Sequence, residues 1–86
     1  MYKNIRRKNT RCFMFDIKDG WNNIIVIHKE SNYIDDDSNF INKFIENKII
    51  PKFKGCEVEG STLGEWEYEQ LKERGVLTYT QFENTK

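Results

Sequence analysis

Lys3, Arg6, Arg7, Lys8 and Arg11 are the densest group of chemically active side chains in the sequence, set among asparagines with Tyr2 beside them. Cations neutralise phosphates, amides donate hydrogen bonds and a phenol ring stacks on a base, so this mixture suits RNA or DNA. Guanidinium groups also grip carboxylates, and an acidic protein surface would serve equally well. Short basic runs are common on solvated termini, where they only add charge.

The acidic counterpart lies near the other end. Glu65, Glu67, Glu69 and Glu73 surround Trp66 and Tyr68. Carboxylates at that density can imitate the charge of a nucleic acid or meet a basic protein. The two aromatic rings would act as rigid anchors. Glu65, Trp66, Tyr68 and Glu69 therefore form a candidate protein-partner surface, unless the aromatic rings are needed inside.

For catalysis, His28 could serve as a general base oriented by Asp16 or Glu30, and Cys12 as a nucleophile. An Arg11 and His28 pair could engage phosphates in the manner of a minimal metal-independent ribonuclease. Cys12 and His28 sit on neighbouring strands with opposite facing, which excludes a Cys/His pair. Asp35, Asp36 and Asp37 offer oxygen ligands to a hard cation, but consecutive residues do not converge on one ion and the glycine of a calcium loop is missing. Cys12 and Cys56 have no metal-ligand spacing, and as two isolated thiols they read as small hydrophobes, not a disulfide. No cofactor or metal is expected.

These groups are distributed unevenly along a chain of zero formal net charge. Up to Lys18 the cations face only Asp16, whereas from Glu57 to Glu83 seven glutamates face Lys72 and Arg74. A dipolar surface follows. At 86 residues the chain forms a single domain, 1–86, with 1–9 as a basic arm. Twelve aromatic residues argue for a folded core, no apolar run approaches a membrane span, and no apolar stretch follows the basic start, so a cytoplasmic location is expected. Alanine is absent while Asn, Ile and Lys each occur nine or ten times. That bias resembles proteins of A+T-rich genomes, including many phage and mobile-element accessory proteins.

The elements that must hold these groups begin with a hairpin. Arg11 to Ile17 alternate, with Phe13, Phe15 and Ile17 on one face, and Trp21 to His28 form a second strand. Asp19-Gly20 as a type I′ loop places Lys18 opposite Trp21, Phe15 opposite Ile24, Phe13 opposite Val26 and Arg11 opposite His28. Cys12, Met14, Trp21, Ile25 and Ile27 then share the reverse face, which lacks an obvious cover unless the second helix lies there. Asp37 or Ser38 caps a helix with the stripe Phe40, Ile41, Phe44, Ile45, Ile49, and Pro51 holds Ile50 extended and ends it. Phe53 to Glu59 is a short strand between Gly55 and Gly60. Residues 62–74 carry both a strand-like alternation and helix signals. The Thr62 and Glu65 capping box and Gly75 at the stop decide for helix. Val76 to Phe82 alternate as a last strand.

The order β-β-α-β-α-β implies an α+β fold, a mainly antiparallel sheet with two helices over one face. The function expected is that of a small non-catalytic binding protein. It would be an accessory or inhibitory factor occupying a surface on a host nuclease, toxin or defence protein, with its arm contacting RNA, DNA or an acidic patch. The ribonuclease using His28 and Arg11, and a self-associating module, are the alternatives. An uncovered reverse face or sheet edge, with opposite charges at the two ends, predicts a homodimer.

Overall fold

A computed structural model of the chain describes residues 11–84. Strands β1 (Arg11–Asp19) and β2 (Asn22–Glu30) form the hairpin, followed by helix α1 (Asp37–Phe44), which runs into a π-helical turn (Ile45–Ile49). Strand β3 (Glu57–Leu63), helix α2 (Glu65–Glu73), the two-residue strand β4 (Leu77–Thr78) and helix α3 (Tyr79–Glu83) complete the fold. The protein is a small α+β domain around one four-stranded sheet of order β3-β1-β2-β4, antiparallel except for the β2–β4 pair. Among the described residues no helix is long and apolar enough to cross a membrane.

The hairpin turns one residue later than expected. Asp19 pairs with Asn22, so Gly20 and Trp21 are the loop, and Gly20 supplies the positive φ (65°) that the first loop position needs. Every pairing shifts by two residues: Phe15 faces Val26, Phe13 faces His28, and Arg11 faces Glu30, not His28. A shift of two preserves facing, so the division between the two faces holds for all but Trp21, which leaves the strand for the loop.

Helices lie on both faces of the sheet, not one. On the front, Phe13, Phe15, Ile17 and Val26 pack against Phe44 and Ile49 of the first helical segment and Phe82 of α3. On the reverse, Cys12 and Ile27 pack against Tyr68 of α2, with Met14, Leu63, Leu71 and Val76 around them. The chain path explains the arrangement. β2 and β3 both run antiparallel to β1 and so parallel to each other, and β4 is parallel to both. The connection through α1 steps across the sheet in one direction and the connection through α2 steps back. Two crossovers of the same hand must then lie on opposite faces.

Local chemistry sets the ends of the elements. Asp36, not Asp37 or Ser38, caps α1, accepting from the Ser38 N–H at 3.1 Å. Ile50 keeps right-handed helical angles (φ −55°, ψ −41°) despite Pro51, and its N–H donates to the Ile45 carbonyl oxygen to close the π turn. Ser61 and Thr62 belong to β3, and the cap of α2 falls to Gly64, whose N–H donates to Glu67 Oε1 at 3.0 Å. Gly75 does end α2 with φ 92°. Its N–H donates to the Lys72 carbonyl and that of Val76 to Leu71, the paired bonds of a Schellman stop. Beyond Thr78 the expected strand becomes α3, because Thr78 and Gln81 form a reciprocal capping box. Both cysteines are free.

Gly60 lies in the middle of β3, opposite Phe15, where α1 crosses the front face. A Cβ there would stand 2.5 Å from Ile41 Cγ2 and 3.0 Å from the Phe15 ring. Gly60→Ala should therefore destabilise the fold by about 1–3 kcal/mol in urea unfolding, as overpacking does. The penalty should shrink in an Ile41→Ala background. An unchanged penalty there would mean that the helix does not set the spacing.

Candidate protein-binding surface

α2 is held to the reverse face from below and from the side. Tyr68, 7% exposed, enters the cluster with Cys12 and Ile27, and burial pushes both its hydroxyl and the Cys12 thiol up. Lys29 on β2 reaches Glu69 at 2.9 Å and Glu65 at 3.6 Å, with its ammonium 5.1 Å from the centre of the Tyr68 ring. The hydrogen bond to Glu69 raises Lys29 above its ordinary value, and the same bond lowers Glu69. Lys29 was not among the residues singled out in the sequence. Only the pairing of its strand with β1 brings it under α2.

The expected quartet divides. Glu65 and Glu69 are turned toward Lys29 and Tyr68 is inside, while Trp66 stands outside at 72% exposure. The other exposed residues of the segment are Glu67, Gln70, Lys72, Glu73 and Arg74. Trp21 at the hairpin tip and Tyr33 are the other large exposed rings. Both tryptophans of the chain thus face solvent, whereas none of its six phenylalanines is exposed. In a core this small an exposed tryptophan is an informative departure.

Lys3, Arg6, Arg7 and Lys8 lie outside the described residues. Arg11 Nη1 donates to Asp37 Oδ2 at 2.8 Å, at the start of α1. His28 sits diagonally from Arg11 on the front face, its ring 4.8 Å from Phe44 and 5.8 Å from Tyr79. Its Nε2 donates to Glu30 Oε1 at 2.8 Å, since an ionised carboxylate only accepts. The guanidinium and the imidazole therefore each have a separate carboxylate partner. The three aspartates divide their work: Asp35 accepts from the Tyr33 hydroxyl at 3.1 Å, Asp36 caps α1 and Asp37 takes Arg11. Among the described residues no group of three His, Cys, Asp or Glu side chains is placed to hold a metal ion. A shallow cleft of about 310 Å³ lies beside them, with Ile34 and Phe40 among its walls.

Beyond α2 the reverse face is open, with a hollow of about 380 Å³ lined by Met14, Asp16, Glu59, Gly60 and Ser61. Lys18 opposes Glu57 in the β1–β3 register, an attractive pair, but Asp16 opposes Glu59. Like charges directly opposed across two strands are destabilising.

Two outcomes follow. Glu59→Gln should raise stability by about 0.2–1 kcal/mol in urea unfolding, and a loss would mean that Asp16 and Glu59 do not repel. Burial pushes the Glu30 carboxyl up, but hydrogen bonds from His28 and the Asn32 N–H outweigh it and hold it below its ordinary value. Its contribution to stability is therefore present above the carboxyl's unfolded value and is lost as pH falls through the lower folded value. Unfolding measured between about pH 3 and 6 should show a shallower acid limb in Glu30→Gln, and an identical limb would place the lost stability on other carboxylates. No protein-family model, curated protein or solved structure matches the chain, so the site rests on its own geometry.

Proposed function

We propose that this is a small non-catalytic binding protein that occupies a basic surface on a larger protein, with the outward face of α2 as the contact and Trp66 as its anchor. The observation that carries the reading is the exposure of Trp66 on a helix whose opposite side is fixed to the sheet by Tyr68 and Lys29. A rigid platform limits the ordering cost of binding, and tryptophan is among the residues that most often dominate contact energies. Glu67 and Glu73 beside it select a cationic surface and speed encounter with it. Surfaces of that charge are found on proteins that handle nucleic acids, and an acidic helix seated there would block access as an inhibitor does.

The ribonuclease alternative has weaker support. His28 is packed among aromatic rings with its Nε2 bound to Glu30, and Arg11 is bound to Asp37. The buried Cys12 thiol, raised by that burial, is a poor nucleophile.

Trp66→Ala should leave the thermal unfolding temperature nearly unchanged, because the side chain is largely exposed and belongs to neither core cluster. It should weaken partner binding by about 2 kcal/mol or more, roughly thirtyfold. The measurement is affinity capture from cells expressing either form, followed by titration of the captured protein. A partner held equally by wild type and Trp66→Ala would move the contact off α2.

A further inference from the structure

The sheet ends on one side at β3, and among the described residues no strand pairs with its outer edge. The hairpin determines which groups that edge presents. A two-residue loop closes on a hydrogen-bonded pair, here Asp19 with Asn22, so the odd-numbered residues of β1 exchange backbone bonds with β2. The even-numbered residues Cys12, Met14, Asp16 and Lys18 then bond to Leu63, Ser61, Glu59 and Glu57. What remains facing outward is the N–H and C=O of Val58, Gly60 and Thr62.

Such an edge is a template for another strand, and its side chains define which one. On the front face Val58 is half-buried, and Ile41 of α1 crowds over Gly60. On the reverse face, past the reach of α2, stand Glu57 and Glu59, with Asp16 opposite Glu59. The chain thus sets two carboxylates on opposed positions beside an open hollow and an open edge.

We propose that the β3 edge receives an extended segment of a partner protein that alternates basic and apolar residues and adds a fifth strand to the sheet. Its basic side chains lie on the reverse face against Glu57, Glu59 and Asp16 and relieve the repulsion there. Its apolar side chains lie on the front beside Val58 and Ile41. A second copy of β3 fits this edge poorly. An antiparallel pair centred on Gly60 gathers four glutamates on one face. The inference concerns a different element from α2 and stands without it.

The test is a titration of the isotope-labelled full chain with a synthetic decapeptide alternating lysine and valine, and separately with one alternating glutamate and valine. With the lysine peptide, amide exchange at Val58, Gly60 and Thr62 should slow by about tenfold or more at saturation, while the glutamate peptide leaves it unchanged. The double variant Glu57→Lys with Glu59→Lys, checked for a cooperative melt, should bind the lysine peptide about tenfold more weakly. Trp66→Ala should bind it as wild type does, which separates this edge from α2. No binding, indifference to the charge reversal, or protection at other amides would overturn the proposal. Edge amides already protected in the free protein, together with a light-scattering mass of two chains, would give the edge to a second copy instead.

Discussion

Burial of the front face of β1, and of its reverse face at the Cys12 end, is the requirement on which the rest of the structure depends. Phe13, Phe15 and Ile17 are fully enclosed on the front and Cys12 on the reverse. A strand apolar on both sides is stable only in the interior of a sheet with a layer on each face. The hairpin supplies one neighbour and β3 the other, and the two same-handed connections deliver α1 and α2 to opposite faces. β4 can then be as short as two residues, because α3 packs beside it and closes the front.

Features governed by local chemistry were legible in the sequence. The two hairpin strands, the apolar stripe of α1, the helical state of 65–73 and the glycine stop at Gly75 are each encoded within a few consecutive residues. Competing local signals misled elsewhere. Asp19-Gly20 reads as a type I′ loop, yet Gly20 takes the first loop position at positive φ, and the loop slides forward onto Trp21. Thr62 with Glu65 has the spacing of a capping box, but pairing of Thr62 with Phe13 keeps it in a strand. The same motif in Thr78 and Gln81 is real and was hidden by the alternation of Val76 to Phe82. Tyr79 and Phe82, three residues apart, sit on one side of a helix where their rings approach at 5.9 Å.

Facing on α2 was also readable and was missed. Residues two apart on a helix point to nearly opposite sides, so Trp66 and Tyr68 cannot anchor the same contact. Which of the two turns inward depends on what lies beneath, and that is a tertiary fact. The same holds for Lys29, whose neighbours Glu65 and Glu69 are distant in sequence. Charge segregation along the chain is only partly a surface property, since Arg11 is spent on Asp37, and Glu65 and Glu69 on Lys29. The acidic character that remains belongs to the open part of the reverse face and to Glu67 and Glu73 on α2, where Lys72 and Arg74 partly offset it.

The exposure of both tryptophans also determines what light can report about this protein. Each indole already sees water in the native state, so its emission changes little when the chain unfolds, and the transition is better followed by circular dichroism. The same exposure makes the indoles sensitive to docking. A partner that covers Trp66 removes water from one of only two emitters, shifting the spectrum to the blue against a background that folding leaves still.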